Sequence, residues 1–498
     1  MKNVIVIGAG VSGLATALRL QSKGYKVEIY EKNSNPGGRM GKIENNGFQF
    51  DLGPTIVMMP HIYKEVFEAC GVNPDDYIRM EKLDPIYNVY FDDGTMHSAS
   101  SDLPKLINSL EEIGYQETAG YLAYLADIYK RYLIAKDHFI DKSFRHWTDF
   151  YNPKTLYNAL KLKTFDNAYD SVGKFVKNDK LKELLSFQTL YIGISPFNGP
   201  SIYTIIPMIE LTYGVWYIKG GMYAMAAAME KLFLELGGKI FYNKTVEKVV
   251  VKDNKAVGIK VDKKVINADY VVCTADFPHA LDKLLPTDYK NGKYSKNNIE
   301  KLEYSCSCYM MYLGIDNNNY KGLNVHNLVF SSDFKQNLEE IFKGKFPTDP
   351  SIYVYAPGVI DDSLAPKNKL GLYVLVPVPN LKDNYIDWRD DLTLSNIKEQ
   401  VLNQIDKIKP LKGFRKHLIS EKIYTPLDWN NDFNAMFGTT FGLKPTLLQS
   451  NYFRPQPKAH KIDNLYFAGA STHPGAGVPI VLTSAKLAVQ ELMKDDKR

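Results

Sequence analysis

Cysteine is scarce in this sequence, and its few copies are poorly spaced for cross-linking or metal binding. The 498 residues contain four cysteines, at positions 70, 273, 306 and 308, and no two of them form a CxxC pair. Disulfide scaffolds and zinc ribbons depend on several cysteines at short, regular spacing. We therefore expect no disulfide framework, no zinc site and no other metal centre.

Long hydrophobic runs and a strong net charge are also missing. The sequence has no run of about 18 consecutive apolar residues, so no membrane-spanning helix is predicted. A formal net charge of +5 over 498 residues is too small to indicate nucleic-acid binding. The N-terminal apolar run lacks the small-residue cleavage site of a secretory signal. We expect a protein that is cytosolic or peripheral to a membrane.

The composition that remains is that of a globular protein with abundant tyrosine and phenylalanine. Hydrophobic residues make up 45% and charged residues 23% of the chain, and a chain of this length predicts two or three structural units. There are 34 Tyr and 24 Phe against 4 Trp. Aromatic side chains pack well against flat or extended ligands.

A dinucleotide-binding motif begins at the fourth residue. Val4–Ile7 is a β-branched run typical of a buried parallel strand, and it leads directly into a turn with glycine at positions 8, 10 and 13. Apolar residues at helical spacing follow from Leu14 to Leu20. In this strand–turn–helix context, Gly8 permits the tight turn, Gly10 lets the backbone approach a pyrophosphate, and Gly13 lets the helix pack on the strand.

Two further features specify which dinucleotide is bound. The second predicted strand, Val27–Tyr30, ends at Glu31, the position of the acid that binds a ribose hydroxyl pair and disfavours a 2′-phosphate. A glycine turn follows, in which Gly38 precedes Arg39, a planar cation able to lie against the same pyrophosphate. No second GxGxxG motif is found in the sequence, so FAD is favoured over a nicotinamide nucleotide.

A second segment of small residues lies near the C-terminus. The predicted strand Leu465–Phe467 runs into a stretch that includes Gly469, Ala470, Gly477 and Val478. Such segments let the main chain approach a phosphate or a planar ring closely. Their position at the opposite end of the chain predicts one large cofactor held by both termini.

These motifs resemble those of the FAD-dependent amine oxidase and phytoene desaturase superfamily. The resemblance extends to the strand pair at 246–251 and 256–259, beginning at Val246, which covers the adenine in that fold, and to a returning strand at 268–275. It implies an α/β fold: a Rossmann-like FAD-binding domain, an antiparallel-sheet substrate domain and a helical subdomain suited to membrane docking. In that fold Gly469 and Ala470 lie at the FAD pyrophosphate, and the segment of Gly477 and Val478 passes beside the flavin ring.

The predicted domain limits follow from this pattern. Residues 1–100, 235–290 and 456–498 form a discontinuous FAD-binding domain, residues 101–234 a mainly helical region, and residues 291–455 a substrate domain with mixed or antiparallel sheet. Between residues 130 and 182, 12 Lys or Arg face 6 Asp among many aromatics. This combination suits docking on an anionic bilayer, although a solvated helical face over a buried stripe is an equal alternative.

Within the superfamily, four segments are similar to the carotenoid desaturases, above all those that act on thirty-carbon precursors. They span residues 51–60, 187–193, 218–223 and 470–479. The resemblance implies FAD as the sole redox cofactor and a long apolar substrate, 4,4′-diapophytoene, converted stepwise to 4,4′-diaponeurosporene or diapolycopene. It also implies peripheral attachment at the cytoplasmic face of the membrane and reoxidation by oxygen or a quinone.

Few polar anchors are expected in a hydrocarbon site, because binding rests on apolar burial. Thr55, Met58 and Met59 are candidates for its lining, with core packing as the alternative. His473, beside the C-terminal glycines, is the candidate for proton transfer, but it also suits a purely structural role in bracing the turn. We interpret Cys306 and Cys308 as core or pocket lining rather than a redox pair.

Three other functions remain open at this stage. A carotenoid oxygenase or ketolase uses the same fold and inserts oxygen instead of desaturating. An amine oxidase also uses it, but no paired aromatic cage is identifiable from the sequence. A flavin-free lipid-delivery protein is the third alternative, which a colourless purified protein would support.

Overall fold

The computed structural model describes residues 1–163, 165–317, 319–382 and 384–497. Strands and helices alternate at both ends of the chain, whereas helices dominate residues 103–213. The strands in these ranges are β1 (Asn3–Ile7), β2 (Lys26–Tyr30), β3 (Lys42–Asn45), β4 (Phe48–Asp51), β5 (Val57–Met58), β6 (Met80–Lys82), β7 (Tyr87–Tyr90), β8 (Met96–Ala99), β9 (Val215–Ile218), β10 (Lys239–Phe241), β11 (Val246–Lys252), β12 (Lys255–Val261), β13 (Lys264–Asn267), β14 (Tyr270–Cys273), β15 (Lys290–Asn291), β16 (Tyr294–Ser295), β17 (Ser307–Ile315), β18 (His326–Val329), β19 (Ile352–Tyr355), β20 (Leu370–Val378), β21 (Leu418–Tyr424) and β22 (Leu465–Phe467).

The helices complete the framework. The α-helices in the same ranges are α1 (Val11–Gln21), α2 (Pro60–Glu68), α3 (Leu103–Glu111), α4 (Tyr115–Ala135), α5 (Trp147–Phe150), α6 (Pro153–Lys161), α7 (Ala168–Gly173), α8 (Asp179–Leu184), α9 (Ile205–Tyr213), α10 (Tyr223–Glu235), α11 (Phe277–His279), α12 (Phe334–Phe342), α13 (Asp391–Ile405), α14 (Pro426–Phe433) and α15 (Val478–Asp496). None of the helices in the described ranges is long and apolar enough to cross a bilayer.

A five-stranded parallel sheet joins the two ends of the chain, in the order β10-β2-β1-β14-β22. The side chains of β1 alternate between two cores: Val4 and Val6 pack with helices α1, α10 and α15, and Ile5 and Ile7 pack towards β11 and β12. Because both faces are covered, a continuous apolar strand is stable here. The predicted first, second and returning strands are confirmed.

A three-stranded antiparallel sheet, β11-β12-β13, lies on one side of the parallel sheet. The predicted strand pair at 246–251 and 256–259 is confirmed, and β13 adds a third strand. Val249 and Ile259 are buried beneath it. Its first strand begins at Val246, close to the C-terminal edge of the parallel sheet.

The second large element is a seven-stranded sheet in the order β21-β17-β20-β19-β18-β7-β8. All neighbours are antiparallel except β7 and β18. Strand β17 is buried along its whole length, with Met310 and Tyr312 facing one core and Tyr309 and Met311 facing the other. Helix α13 covers the second face through residues such as Val401.

The pairing of strands β7 and β8 concerns the predicted domain boundary at residue 100. The limit assigns residues 87–99 to the FAD-binding domain, but β7 and β8 are hydrogen-bonded into the seven-stranded sheet. Their placement depends on β7 pairing with β18, from Asn88 against Asn327 to Tyr90 against Val329. No local pattern in the sequence reports a partner so distant along the chain.

Helices α3 to α9 form the region predicted to be helical. The longest of them, α4, has a buried face that includes Tyr121, Tyr124, Ile128 and Tyr132. These positions follow the three- and four-residue spacing of one helical face. The opposite face of α4 is largely exposed.

Candidate active site

One large cavity of about 890 Å³ connects the parallel sheet to the seven-stranded sheet. This volume is near the upper end of the range of about 300–1,000 Å³ for ligand pockets. Of the predicted site residues, the following line it: Gly8, Gly10, Glu31, Gly38, Arg39, Thr55, Met58, Met59, Val246, Gly469, Ala470, Gly477 and Val478. Gly13 and His473 do not line it.

The N-terminal glycine turn is built by close backbone approach. Gly8 has a φ of +99°, and its amide donates to the carbonyl of Tyr30 at 2.8 Å. A β-carbon on Gly13 would lie 2.0 Å from the carbonyl oxygen of Gly8. Gly13 thus lets α1 pack against the end of β1 without itself contacting the cavity.

Glu31 holds this turn from the end of β2. Its side chain is 6% exposed. One carboxylate oxygen accepts from the amide of Ala9 at 2.7 Å, and the other accepts from the amide of Asn33 at 2.8 Å. The carboxylate therefore fixes the loop and also lines the cavity, as a ribose-binding acid requires.

The second glycine turn reaches across to a distant loop. Gly38 has a φ of +56°, and a β-carbon added to it would lie 3.3 Å from the α-carbon of Gly10. The Arg39 guanidinium donates through Nη1 to the carbonyl of Thr440 at 2.8 Å. Arg39 is therefore held at the cavity wall by a backbone acceptor.

The C-terminal segment supplies open backbone at the same cavity. β-Carbons added to Gly475 or Gly477 would meet no other atom within 4 Å. Helices α1 and α15 begin at Val11 and Val478, and both of these residues line the cavity. Helix N-termini present free amide groups and favour anionic ligands. Glycine backbone bordering open space, two helix N-termini and Arg39 together fit a flavin dinucleotide.

Two residues of the cavity wall could not be predicted from the sequence. Arg454 is 2% exposed and donates to the carbonyls of Gln449, Leu443 and Ala470, at 3.0, 3.1 and 2.6 Å. Burial lowers its pKa. Asp276, at the end of the returning strand, also lines the cavity. No motif surrounds either residue in the sequence, so only the fold brings them to this wall.

The opposite end of the cavity is apolar. Met58 and Met59 contribute to it, and Cys306 and Cys308 are both buried at its wall, as predicted. Burial raises the pKa of Cys308 to about 12, so its sulfur is a neutral thiol. The other apolar residues of this end include Ile56, Phe187, Leu190, Ile192, Ile202, Ile205, Ile206, Ile209, Met310, Leu328, Phe330, Phe334 and Leu375.

His473 is directed away from the cavity. Its side chain is fully buried, its Nε2 lies 2.8 Å from the carbonyl oxygen of Lys142, and its ring packs edge-on against Phe144. Burial lowers the pKa of His473 to about 4. Its carbonyl accepts from the hydroxyl of Ser484 at 2.8 Å. This geometry favours the bracing alternative over proton transfer, because the ring joins the C-terminal turn to residues 142–144.

Comparison with solved structures agrees with this architecture. An oxidoreductase from Methanosarcina mazei superposes with a TM-score of 0.65 at 16% identity, covering 99% of this chain and 100% of the other. Wild-type putrescine oxidase bound to putrescine gives a TM-score of 0.63 at 12% identity, covering 100% and 99%. At these identities the likeness establishes the fold alone, and it confirms the predicted α/β class.

Sequence comparison identifies nearer relatives. The 4,4′-diapophytoene desaturase (4,4′-diaponeurosporene-forming) of Staphylococcus haemolyticus strain JCSC1435 is 47% identical over 494 residues, and that of Staphylococcus aureus strain Newman is 48% identical over 498 residues. Each alignment covers 99% of both chains. Residues 11–493 match the family described as flavin containing amine oxidoreductase. With its glycine turns, helix N-termini and cavity, this chain belongs to that family of flavin-dependent oxidoreductases.

Proposed function

We propose that this protein is an FAD-dependent desaturase that introduces successive conjugated double bonds into 4,4′-diapophytoene. The observation that carries the proposal is a single cavity with a glycine-lined, dinucleotide-binding end and an apolar end. The names of the relatives at 47% and 48% identity support the substrate, and they favour 4,4′-diaponeurosporene over diapolycopene as the main product.

Each part of the cavity has a task in this reaction. FAD, when bound, supplies a two-electron acceptor for the hydrogen removed from a carbon–carbon single bond. Gly8, Gly10, Glu31 and Arg39 would hold its nucleotide half. The apolar wall binds a hydrocarbon by burial, at about 25 cal/mol per Å², excludes water and sets which bond lies at the polar end.

We propose further that the enzyme docks on the cytoplasmic face of the cell membrane. Trp147, Leu160 and Phe165 are 64%, 69% and 83% exposed. Together with the exposed Tyr157 they are called the docking face; Trp147 lies on α5, Tyr157 and Leu160 on α6, and Phe165 shortly after α6 in the chain. Leu162, beside this face, lines the cavity. A substrate dissolved in lipid would therefore have a short path into the site.

Basic groups support an anionic bilayer as the partner of the docking face. The segment from 130 to 182 has six more basic than acidic residues, and the ammonium group of Lys161 lies 4.3 Å from the centre of the Tyr157 ring. Interfacial tyrosine and lysine act together at such membranes. Membrane docking leaves both oxygen and a membrane quinone accessible as the terminal electron acceptor.

The test is anaerobic incubation of the flavin-loaded protein with 4,4′-diapophytoene in liposomes. We expect the visible flavin absorbance to bleach while polyene absorbance appears. Bleaching without a polyene would contradict the desaturase, and an oxygenated product formed only in air would identify a ketolase or oxygenase instead. Repeating the reoxidation with oxygen or with a soluble quinone separates the two candidate acceptors.

A further inference from the structure

Three polar side chains form a hydrogen-bonded string in the wall of the mainly apolar end of the cavity. The Thr55 hydroxyl lies 2.7 Å from the Tyr353 hydroxyl, which lies 2.7 Å from Nδ1 of His326. Thr55 and Tyr353 line the cavity, whereas His326 is 1% exposed and lies behind them. Thr55, Tyr353 and His326 are called the polar string below.

The seven-stranded sheet fixes this arrangement. In the pairing of β18 with β19, Leu328 lies opposite Tyr353 and His326 lies opposite Tyr355. His326 and Tyr353 are therefore diagonal neighbours on one face of the sheet, close enough for large side chains to meet. Their ring centroids are 5.9 Å apart. Neither side chain depends on a flexible loop for its position.

The polar string also lies near the cofactor end of the cavity. A β-carbon added to Gly53, two residues before Thr55, would lie 2.5 Å from the carbonyl oxygen of Arg39. The chain just before Thr55 thus packs on the second glycine turn, and the Thr55 hydroxyl contacts that of Tyr353. The string occupies the boundary between the dinucleotide-binding and apolar ends.

Desaturation needs a proton acceptor at such a boundary. Removing hydrogen from two neighbouring carbons as a hydride and a proton leaves the proton in an apolar cavity, where an isolated charge is costly. A carbon next to a cationic centre is a strong acid, so a weak neutral base is sufficient. A hydrocarbon has no polar group with which the string could pair during binding.

On the basis of the proposed function, we propose that Tyr353 accepts the proton that the substrate loses and passes its own phenolic proton to Nδ1 of His326. The C–H bond that breaks belongs to the carbon next to the one from which a hydride has been removed. Its electron pair becomes the second bond of the new double bond. Thr55 is a positioning residue that orients the phenol.

The protonation states of the string suit this transfer. Burial raises the pKa of Tyr353, so it is a phenol with a proton to pass on. Burial lowers the pKa of His326 to about 3, so its ring is neutral and one nitrogen accepts. Its Nε2 has no hydrogen-bond partner within the described ranges. The charged ring is disfavoured, and its proton returns through Tyr353 to water that enters when the product leaves.

Two substitutions separate proton transfer from packing. Tyr353→Phe removes the acceptor and keeps the ring, and His326→Gln keeps a hydrogen-bond acceptor for Tyr353 but removes the site that takes its proton. We expect the anaerobic rate of polyene formation from 4,4′-diapophytoene to fall roughly 100-fold in Tyr353→Phe and less in His326→Gln, whereas flavin bleaching, which reports the earlier hydride transfer, should fall less. Flavin content and the substrate Kd, measured by quenching of protein fluorescence, should match the wild type, and the melting temperature of Tyr353→Phe should fall only modestly, because Nδ1 of His326 loses its partner.

Substrate deuterated separately at each of the two reacting carbons supplies the decisive readout. In both variants the isotope effect on polyene formation from the proton-losing carbon should increase and that from the hydride-losing carbon should decrease, because proton loss becomes slower. Tyr355→Phe is the matched control: its ring packs on His326 at 5.2 Å, and it does not line the cavity. Its rate and isotope effects should stay at wild-type values.

Three outcomes would overturn the proposal. They are a rate of polyene formation in Tyr353→Phe within threefold of the wild type, a slower rate with unchanged isotope effects, and an equal loss in Tyr355→Phe. The second outcome would mean that Tyr353 only shapes the cavity. If the wild type itself fails to bleach with this substrate, the desaturase function is wrong, and the two failures are thereby distinguished.

Discussion

The two ends of the cavity are built from different parts of the chain and by different means. The dinucleotide-binding end comes from backbone at the chain termini, where Gly8, Gly10, Gly475 and Gly477 leave room that side chains would fill. The apolar end comes from side chains of the middle of the chain, such as Ile205 and Phe330. Backbone-built sites tolerate little change, whereas a wall of apolar side chains tolerates substitution as long as its volume and polarity are kept.

The largest expected effect is at the backbone-built end. Gly13→Ala places a methyl group 2.0 Å from the carbonyl oxygen of Gly8, so α1 must move away from β1. We expect a loss of roughly 3–5 kcal/mol in the free energy of unfolding and a protein purified without flavin. Urea unfolding and the visible spectrum measure both.

The matched control is Gly24→Ala. Gly24 has a φ of +86° but no atom within 4 Å of an added β-carbon. Gly24→Ala should lower the free energy of unfolding by about 1 kcal/mol, and the variant should retain the flavin. Equal loss in both variants would mean that close packing at Gly13 is unimportant.

A charged side chain at the side-chain-built end should lower desaturation activity without changing the amount of bound flavin. Met58→Glu places a carboxylate in the apolar wall, and burying it against a hydrocarbon is unfavourable. We expect desaturation to fall roughly 100-fold, an effect of about 3 kcal/mol, with flavin content unchanged. Met58→Leu should stay near wild-type activity because it conserves volume. Loss of flavin in Met58→Glu would contradict the separation of the two ends.

Lowering the pH should reduce the free energy of unfolding through His473, whose ring joins the C-terminal turn to residues 142–144. Burial lowers the pKa of His473 to about 4, below about 6.5 in an unfolded chain. The unfolded state then binds more protons between these pH values, so stability falls as the pH falls from 6.5 to 4. The contribution is about 3 kcal/mol.

Comparison with His473→Gln isolates that contribution from other acid-sensitive groups. His326, whose pKa is lowered to about 3, changes stability in the same direction in both proteins. The variant should therefore lose about 3 kcal/mol less than the wild type over this range, as measured by urea unfolding at each pH. Its desaturation rate should stay near normal once flavin is bound. A large rate loss would restore His473 as a proton-transfer residue.

The smallest expected effect concerns the docking face. Leu160→Ser removes an exposed apolar side chain from it and should weaken binding to anionic liposomes roughly tenfold, about the value of burying one leucine. Leu392→Ser is the control, because both leucines are 69% exposed and Leu392 lies on α13. Vesicle co-sedimentation measures both. Equal weakening would contradict a specific docking face.

The contrast between the backbone-built and side-chain-built ends of the cavity also explains which features could be predicted from the sequence. The glycine turns, Glu31 and the C-terminal segment form recognisable local patterns because each requirement is met within a few neighbouring residues. The continuous apolar run of strand β17 and the amphipathic pattern of helix α4 are local in the same sense. Their roles in binding remain predictions, but the structure brings them to one cavity.

Features that depend on distant pairing could not be predicted. Strand β7 finds its parallel partner β18 more than 200 residues later, and Tyr353 meets His326 only through strand register. His473 belongs to a recognisable segment, yet the direction of its ring depends on where residues 142–144 pack. Motifs predict which backbone approaches the cofactor, but not which side chains converge from other elements.

The strand order of the parallel sheet also has a consequence for the time at which the site can form. Its five strands come from residues 239–241, 26–30, 3–7, 270–273 and 465–467, so the last to be synthesised closes one edge. Nearly the whole chain must be synthesised before β22 and α15 can complete the dinucleotide-binding end. Contacts of such long range slow folding. Until then the turn at Gly8–Gly13 lacks the C-terminal segment that completes the dinucleotide-binding end. FAD can therefore bind only after nearly the whole chain has been synthesised.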